Sequence, residues 1–458
     1  MFNDTIAAIS TAVSASGIGI IRVSGAQAME IADRVYRSKI KDKKLTDVPT
    51  HTIHYGHICD GEEIIDEVLV MVMRAPRTFT GEDTVEIDCH GGIYAMKKVL
   101  DTVLKQGARI ADPGEFTKRA FFNGRLDLSQ AEAVMDVIQS KNRYALKNSI
   151  QQLKGSVKSK IEKIRKKIIR ELARIESALD DPEHMSLEGY GEQLRDVVEE
   201  QRQEIRRLLS TVERGKIIQE GVQTAILGKP NVGKSSLLNM LVGQDRAIVT
   251  EIAGTTRDVL EEYIHFGGAS LKIVDTAGIR DTADRVESIG VDKALEQAKQ
   301  ADLILYVVDS SVSLDENDHR IIEMIQDKNV IVLLNKSDLP TVVDTDRLTE
   351  LTGKAVIPIS AKEGTGFEEL ESCVASMFFQ GKVDLPEDVY ITSLRHKDLL
   401  EGALESLDQV IASIDADMPE DFYSIDLMHA YESLGYILGE AVDEDVINEV
   451  FENFCMGK

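Results

Sequence analysis

The segment from Gly228 to Ser235, GKPNVGKS, constrains the fold more than any other part of the sequence. It matches the GxxxxGKS/T pattern, follows the apolar run VQTAIL and precedes the helical run SSLLNMLVG. Glycines let main-chain N–H groups surround phosphate oxygens at a helix N-terminus. Lys234 can then neutralise the β and γ oxygens, and the Ser235 hydroxyl can bind Mg²⁺. The segment therefore predicts a phosphate-binding loop (P-loop) between a strand and a helix.

Three shorter motifs follow at the ends of apolar runs. DTAG at 275–278 follows LKIV, so its carboxylate can hold Mg²⁺ through water and the Gly278 amide can meet the γ-phosphate. NKSD at 335–338 follows VIVLL, and the Asp338 carboxylate can accept from both N1–H and N2–H of guanine, a donor pair that adenine lacks. SAK at 360–362 follows AVIPI and fits the loop whose main chain contacts guanine O6. Four motifs in this order predict a GTPase.

The loop TEIAGTTRD at 250–258 lies between the P-loop and the DTAG motif. A hydroxyl is needed there to sense Mg²⁺ and the γ-phosphate. Thr256 is our candidate, although spacing does not separate it from Thr250 and Thr255, and a Thr-rich surface turn is the alternative. The residues predicted to bind GTP are Asn231, Val232, Gly233, Lys234, Ser235, Ser236, Thr250, Glu251, Ile252, Ala253, Gly254, Thr255, Thr256, Asp275, Thr276, Ala277, Gly278, Asn335, Lys336, Ser337, Asp338, Ser360, Ala361 and Lys362.

The position after the DTAG motif lacks the glutamine that orients the attacking water in GTPases like Ras, because the chain has Ile279 there. An aliphatic side chain cannot orient water, so catalysis requires an acid or base from farther along the chain. Asp281, Asp284 and Glu287 are the available carboxylates of the following loop. The alternative for each of them is a solvated acidic loop.

Hydrophobic periodicity divides the chain into three kinds of structure. Up to about residue 113, short β-rich runs such as GIGIIRVS alternate with two predicted helices, which indicates an α+β domain. Apolar residues recur at helical spacing over 128–215, which predicts long helices. Over 222–379, β-branched runs alternate with helical stretches, which predicts a doubly wound α/β domain. Helical spacing returns from 388, and we expect these last helices to pack against the earlier ones, making one helical domain interrupted by the α/β domain.

Composition limits the partners. Lys and Arg number 53 against 79 Asp and Glu, a net charge of −26, so a nucleic-acid partner requires a local basic patch. Residues 141–170 hold eleven Lys and Arg against one acid. They can contact a tRNA backbone, or they can form a solvated helix face paired with the acidic C-terminal helices. Charge reversal at Lys163, Lys166 and Lys167 would test the first possibility.

The sequence also indicates a location. The four cysteines show no CxxC spacing, which is typical of a reducing compartment rather than of a disulfide framework. The start of the chain lacks the basic region of a signal peptide, and no apolar run reaches the roughly 18 residues that span a bilayer. We therefore expect a cytoplasmic protein without membrane contact.

Several longer segments resemble the tRNA-modification GTPase family (MnmE/TrmE). They are GIGIIRVSG, TFTGEDTVEIDCHGG, DPGEFTKRAFFNGRLDLSQAEAV, the loop TEIAGTTRD and the final FCMGK, which is similar to the family's C-x-G-K tail. The resemblance covers essentially the whole chain and implies a multidomain fold. An α+β tetrahydrofolate-binding and dimerisation domain would occupy 1–118. A discontinuous all-α helical domain would occupy 119–215 and 381–458, and an inserted α/β P-loop GTPase (G) domain 216–380.

The resemblance also implies a reaction. Members pair with the FAD-dependent protein MnmG and add an aminomethyl or carboxymethylaminomethyl group at C5 of the wobble uridine of certain tRNAs, with GTP hydrolysis required. The implied one-carbon source is 5-formyl- or 5,10-methylene-tetrahydrofolate, and FAD enters only through the partner. A homodimer, and a heterotetramer with MnmG, are implied. In this family K⁺ near the phosphates brings two G domains together and takes the place of an arginine finger.

Matching the family's motifs to this chain implies metal ligands and a catalytic acid. Ser235 and Thr256 would bind Mg²⁺, and Glu287 in RVESIG would activate the attacking water. This match favours Glu287 over the two aspartates of its loop. Side-chain and main-chain oxygens suit a hard cation, and the implied K⁺ ligands are Asn231, Thr250, Ile252 and Thr255.

The folate contacts implied by the resemblance are Arg22, Glu86, Arg125 and Lys458. A cationic side chain can pair with the folate glutamate tail, and a carboxylate can accept from the pterin amino groups. Some relatives have Lys in place of Arg125, which keeps the charge and changes the contact geometry. Without the family, each would be read as a surface ion-pair residue. Cys455 lies near the folate in the family and would serve the modification step; a buried thiol or a prenylation signal are the alternatives.

Two functions of different class remain. The first is a K⁺-activated GTPase whose hydrolysis cycle drives folate-dependent tRNA modification. The second is a GTP-switched RNA-binding or ribosome-assembly factor, which would use the same G motifs without one-carbon chemistry. Folate binding separates the two, and the C-terminal CMGK favours the first.

Overall fold

The structure is a computed structural model that describes residues 3–40, 43–181, 184, 189–243, 262–266, 269–273, 301–379, 389–452 and 454–457. Two compact units share the chain. The first contains Met1–Met135, Gln152–Arg202 and Leu399–Lys458, and the second contains Asp136–Gln151 and Gln203–Asp398. In the part of the chain described, no helix is both long and apolar enough to cross a membrane.

The strands are β1 (Ile6–Ile9), β2 (Ile18–Ser24), β3 (Tyr36–Ser38), β4 (Thr52–Asp60), β5 (Glu63–Met73), β6 (Thr84–His90), β7 (Arg109–Ile110), β8 (Val222–Leu227), β9 (Glu262–Phe266), β10 (Ala269–Ile273), β11 (Leu303–Asp309), β12 (Val330–Asn335) and β13 (Ala355–Pro358). The helices are α1 (Ala28–Val35), α2 (Ile93–Leu104), α3 (Glu115–Phe122), α4 (Leu128–Gln139), α5 (Arg143–Leu153), α6 (Ser156–Asp180), α7 (Tyr190–Leu209), α8 (Val212–Glu220), α9 (Lys234–Gly243), α10 (Glu316–Ile325), α11 (Thr345–Thr352), α12 (Phe367–Phe379), α13 (Leu394–Asp415), α14 (Glu420–Leu438) and α15 (Glu444–Glu452). The α+β, all-α and α/β parts predicted from the sequence are all present, so the predicted fold class is confirmed.

A seven-stranded sheet forms the N-terminal part of the first unit, in the order β3-β4-β5-β6-β2-β1-β7. Its neighbours are antiparallel except for β1 and β7, which are parallel. Side chains of β2 and β6 alternate between the two faces, and Ile21 and Ile87 point to the buried one. There they pack against Ile31 of α1 and Met96 of α2, so both helices lie on one face of the sheet.

Helix α6 carries the longest apolar stripe of the first unit. Buried side chains recur along it every three or four residues, from Val157 to Ala178, and this face packs against α14. One charged residue, Arg165, interrupts the stripe and forms a bidentate ion pair with Glu440, with both N···O distances at 2.6 Å. The last helices of the chain therefore contact a helix that precedes the α/β sheet in sequence.

The second unit contains a six-stranded sheet in the order β13-β12-β11-β8-β10-β9. All neighbours are parallel except β9, which pairs antiparallel with β10 at the edge. Strand β12 is buried along its whole length and β11 nearly so, as expected for central parallel strands covered on both faces. Because β8, β11, β12 and β13 run in the same direction, their carboxyl ends meet at one edge of the sheet.

Candidate functional site

The P-loop joins β8 to α9 and needs the glycines that its motif contains. Gly228, Asn231 and Gly233 have positive φ angles of 148°, 63° and 102°. A β-carbon on Gly233 would lie 2.2 Å from Nδ2 of Asn335, and one on Gly228 would lie 2.4 Å from the oxygen of Val307. Glycine is therefore required at both positions, because a side chain of β12 approaches Gly233 and a main-chain oxygen of β11 approaches Gly228.

Lys234 folds back over this loop. Its Nζ donates hydrogen bonds to the main-chain oxygens of Gly228 and Lys229, both at 2.7 Å. Burial lowers the pKa of the Lys234 ammonium group. A neutral carbonyl stabilises a buried ammonium less than an anionic oxygen does, so phosphate oxygens entering the loop would be the stronger partners for this group.

Asn335, the last residue of β12, connects the P-loop to the loop that follows β13. Its side chain is buried, Nδ2 donates to the oxygen of Val232 at 2.7 Å, and Oδ1 accepts from the amide of Ala361 at 3.0 Å. Both polar atoms of the carboxamide are thus satisfied by main-chain groups of two different loops. One side chain fixes the spacing of three of the predicted motifs.

Asp338 and Ser360 form a second connection between these loops. The Ser360 hydroxyl donates to Oδ1 of Asp338 at 2.7 Å, and this hydrogen bond lowers the pKa of the exposed Asp338 carboxyl group. The carboxylate is therefore charged and oriented at neutral pH, as acceptance from two guanine N–H groups requires.

Two ion-paired lysines were not identified from the sequence as structural supports of the site. Nζ of Lys336 lies 2.5 Å from Oδ2 of Asp309, the last residue of β11. Because Asp309 is the direct partner of Asn335 in the β11–β12 pairing, aligning DLILYVVD with NVIVLLN in parallel register would have found it. For the second lysine, Lys229, no comparable pattern in the sequence indicates which carboxylates pair with it.

Lys229 in the P-loop is held by the N-terminus of α10. Its Nζ lies 2.9 Å from Asp315 and 2.6 Å from the buried Asp318, which also accepts from the Tyr306 hydroxyl at 3.0 Å. Burial acts to lower the pKa of Lys229, but the hydrogen bonds to both carboxylates outweigh it and raise that pKa. The start of the P-loop is thereby anchored to the next strand and helix.

The described residues cover only part of the predicted nucleotide site. The structure brings together the P-loop, the NKSD segment and the SAK segment, with Ser235 and Ser236 in the first turn of α9 and Ser337 and Lys362 in the two guanine loops. The remaining predicted residues lie outside the described part of the chain: Thr250, Glu251, Ile252, Ala253, Gly254, Thr255, Thr256, Asp275, Thr276, Ala277, Gly278, Asp281, Asp284, Glu287 and Lys458.

In the N-terminal sheet, Arg22 and Glu86 face each other across β2 and β6. Nε of Arg22 lies 2.8 Å from Oε1 of Glu86, and the two side chains are 14% and 17% exposed. The Arg22 guanidinium also donates through Nη1 to the oxygen of Gly457 at 3.1 Å and lies 5.8 Å from the centre of the Phe79 ring. The Arg22 guanidinium on β2 thus contacts both strand β6 and the C-terminal tail.

Arg125 approaches the same aromatic ring. Its guanidinium carbon lies 5.8 Å from the centre of Phe79, and its Nε donates to the oxygen of Thr78 at 2.8 Å. Two guanidinium groups beside one ring can accommodate a flat, anionic ligand through stacking and ion pairing. Phe79 was missed in the sequence, although it lies in the segment TFTGED that carries the resemblance.

The C-terminal tail packs tightly against the first strand. A β-carbon on Gly457 would lie 2.4 Å from the α-carbon of Ser10, so glycine is required there. The amide of Gly114 donates to the oxygen of Cys455 at 3.3 Å, and the Cys455 side chain is exposed. Main-chain contacts therefore hold the tail beside Arg22 and leave the thiol accessible to solvent.

Comparison with known proteins identifies relatives over the full length. A model of the MnmE helical domain matches residues 128–455, and a model of the GTP-binding protein TrmE N-terminus matches residues 5–125. The chain is 56% identical to a tRNA modification GTPase MnmE of Lachnoclostridium phytofermentans over 458 residues, 100% of both chains. It is 49% identical to a protein of the same name from Acetivibrio thermocellus over 461 residues, 99% of both chains. Among solved structures, the G domain of the T. maritima FeoB iron transporter aligns with 25% identity and a TM-score of 0.26, covering 35% of this chain and 98% of that one.

Proposed function

The chain belongs to the MnmE family of tRNA modification GTPases, and we propose that it is a K⁺-activated member that carries out folate-dependent chemistry. It is a GTP hydrolase that acts in tRNA modification. We propose that, as a cytoplasmic homodimer paired with an FAD-containing MnmG protein, it adds an aminomethyl or carboxymethylaminomethyl group at C5 of the wobble uridine of certain tRNAs. The ranges 1–118, 119–215, 216–380 and 381–458 are the proposed domain limits.

The contact of Asn335 with two loops is the observation that carries the nucleotide part of this proposal. It holds the phosphate-binding loop and the two guanine loops in one arrangement through contacts within the protein. Such preorganisation lowers the cost of binding, because loops need not be ordered by the ligand. The charged Asp338 carboxylate then selects guanine by accepting from N1–H and N2–H.

The proposed metal ligands fit the P-loop residues that the structure describes. Ser235 lies in the first turn of α9, and its hydroxyl would bind the Mg²⁺ ion, with Thr256 as the second proposed protein ligand. The exposed Asn231 offers a carboxamide oxygen, a donor that suits a hard cation such as K⁺. Thr250, Ile252 and Thr255 would complete that set. K⁺, when bound, supplies positive charge near the phosphates, as an arginine finger does.

We propose Glu287 as the general base that activates the attacking water. Ile279 occupies the position of the usual glutamine and cannot accept a hydrogen bond from water. Asp281, Asp284 and Glu287 follow Ile279 in sequence and can accept a proton, and the match of RVESIG to the family's motif favours Glu287 among them. Lys234 stabilises charge on the phosphate oxygens once it leaves its two main-chain acceptors.

The cluster around Arg22 supports a folate site in the first unit. Arg22 and Arg125 can pair with the carboxylates of a folate tail, Glu86 can accept from pterin amino groups, and Phe79 can stack on a flat ring. We propose Lys458 as a further cation for the same tail. Cys455, exposed three residues before it, is the proposed thiol of the modification step.

GTP turnover by the full-length protein in KCl and in NaCl at equal ionic strength tests the hydrolytic mechanism. We expect strong stimulation by K⁺, and we expect Glu287→Ala to abolish hydrolysis while GTP binding persists. Equal rates in the two salts would remove the proposed K⁺ site, and hydrolysis by Glu287→Ala would assign the base to another group.

Direct binding of 5-formyl-tetrahydrofolate, followed by calorimetry, tests the folate site. We expect Arg22→Gln and Glu86→Gln each to weaken binding at least tenfold, because each leaves a partly buried charge without its partner. Arg34→Gln, on α1, is the matched control and should bind as the parent does. A parent protein that hydrolyses GTP and binds no folate would favour the GTP-switched RNA-binding or ribosome-assembly factor.

A further inference from the structure

Six of the eight basic residues of α6 fall into two sets, and the other two are Lys160 and Arg174. In the first set, carboxylates of other segments hold the charge: Arg165 pairs with Glu440, Lys167 lies 2.6 Å from Glu200, and Lys158 lies 3.7 Å from Asp127. These bases serve the packing of the helices. Lys167 therefore makes a poor probe of a nucleic-acid contact, unlike the sequence-based expectation.

The second set is Lys163, Lys166 and Arg170, which we call the α6 stripe. All three are exposed, and none forms an ion pair within the ranges that the structure describes. Their spacing of three and four residues places them on one face of the helix, and seven residues correspond to about 10 Å along the axis. Ile161, Ile164 and Ile168 lie on the opposite, buried face.

The charge of the stripe is unusual for this molecule. The chain has a net charge of −26, yet the segment 141–170 contains a single acid, Glu162, which lies beside the stripe. Among the exposed positions next to these bases on the same face, Ser159 and Ala173 carry no charge, and Arg174 adds a further cation, whose guanidinium carbon lies 4.6 Å from the centre of the Tyr190 ring. Three neighbouring cations with one nearby anion repel one another, and a polyanion would relieve that repulsion.

We infer that the α6 stripe is a contact surface for the phosphate backbone of the tRNA substrate. This inference rests on the proposed function, which supplies the tRNA. Contacts to phosphate position a nucleic acid and carry no sequence information, so the stripe contributes affinity and orientation without sequence preference. A lipid surface is the weaker partner, since the apolar face of α6 is buried against α14 and no apolar side remains to enter a bilayer.

The triple variant Lys163→Gln, Lys166→Gln and Arg170→Gln tests the inference in the full-length protein. Binding of an unmodified tRNA transcript is measured by fluorescence anisotropy, without nucleotide, between 50 and 300 mM potassium acetate. Each lost phosphate contact lowers the slope of log K against log salt by about one, so the slope should fall by about two to three and affinity near 0.1 M salt by more than about tenfold.

A matched control removes the same charge elsewhere. Lys97→Gln, Arg320→Gln and Arg347→Gln neutralise three exposed bases on α2, α10 and α11 and should leave the slope unchanged. GTP turnover and helical content should match the parent in both triple variants, which shows that folding and hydrolysis are intact. If the parent binds tRNA and the salt slope of the α6 variant is unchanged, the inference is overturned and the proposed function is not affected.

Two other outcomes have separate meanings. A parent protein that binds no tRNA overturns the tRNA part of the proposed function and this inference with it. Binding to vesicles of anionic lipid that the α6 variant loses, with tRNA binding unchanged, assigns the stripe to a membrane surface and also overturns the inference.

Discussion

Asn335 donates a hydrogen bond from its side-chain amide to the main-chain oxygen of Val232, with 2.7 Å between the two atoms. The bond links the last residue of a central strand to the middle of the phosphate-binding loop. The oxygen of the same carboxamide accepts from Ala361, so the guanine loop after β13 is held through this residue as well. The two halves of a nucleotide site are therefore coupled through one buried side chain.

Replacing Asn335 by Ala should weaken GTP binding about ten- to hundredfold. The main-chain oxygen of Val232 and the amide of Ala361 lose their partner, and each lost hydrogen bond is worth about 1 kcal/mol. Titration with a fluorescent GTP analogue measures the effect. Asn329→Ala removes an exposed carboxamide from the preceding loop and should bind GTP as the parent does. Equal affinities for the two variants would show that the loops hold their positions without Asn335.

Asp338→Asn should exchange the nucleotide preference. The carboxylate accepts two guanine N–H groups, whereas a carboxamide offers one acceptor and one donor, which matches the 2-oxo group of xanthine. We expect the affinity for GTP to fall about a hundredfold or more, and XTP to bind in its place. Competition between GTP and XTP for binding to the variant measures the nucleotide preference. Asp327→Asn, which neutralises another exposed carboxylate, is the control. Retained preference for GTP would exclude Asp338 as the specificity residue.

Glu440→Gln should destabilise the first unit by about 1–2 kcal/mol at neutral pH, because Arg165 is buried and loses its charged partner. The Arg165 hydrogen bond holds the pKa of Glu440 below its ordinary value of 4.5. A folded pKa below the unfolded one stabilises the protein above about pH 4.5 and loses this contribution as pH falls through the folded pKa.

Parent and variant should therefore differ in unfolding midpoint at pH 7 and converge in acid. Urea unfolding followed by circular dichroism at both pH values measures the difference. Glu432→Gln, an exposed residue of α14, should not change the midpoint at either pH. If the midpoints of parent and Glu440→Gln differ as much in acid as at pH 7, the destabilisation comes from the changed shape of the side chain and not from its lost charge.

Arg119 should be among the most sensitive positions of the first unit. Its side chain is fully buried and contacts three carboxylates, at 2.7 Å from Asp4, 2.9 Å from Glu115 and 3.3 Å from Glu82. Arg119→Met removes the buried cation that the three carboxylates share. Arg109 still pairs with Asp4 and Glu115, whereas the largely buried Glu82 loses its ion pair with Arg119, and we expect a loss of about 3–5 kcal/mol, visible as a lower thermal midpoint. Lys118→Met, at the half-buried neighbouring position, should have little effect, and a similar shift in both would contradict the charge argument.

The sequence was sufficient for the architecture and for the order of the motifs. Apolar runs predicted β8, β10, β11, β12 and β13. The signal is strongest for β8, β11 and β12, because parallel strands covered on both faces are apolar at nearly every position. Strand β9 was missed, since its five residues EYIHF at the sheet edge carry little pattern of their own. Helical spacing also predicted that the last helices pack on earlier ones, and the contact of α14 with α6 agrees.

The site could be predicted only where a local motif carries it. The P-loop, NKSD and SAK segments each have a fixed spacing, so Lys234, Asn335 and Asp338 could be proposed as site residues without a structure. Phe79 and the carboxylates that hold Lys229 become site residues through contacts between distant segments, which no local spacing encodes. The basic stretch at 141–170 shows the same limit, because only the fold separates bases used for packing from bases left on the surface.

The bond from Arg22 to Gly457 spans 435 residues of chain. At the usual 5–20 residues per second, the ribosome needs roughly 20–90 s to synthesise the segment between them. During that time the N-terminal sheet can form with Arg22 paired only to Glu86, and the tail contact must be added afterwards. The contact between Arg22 and the tail can therefore form only after translation has reached Gly457. A nascent chain can carry a folded N-terminal sheet well before this contact completes the cluster around Arg22.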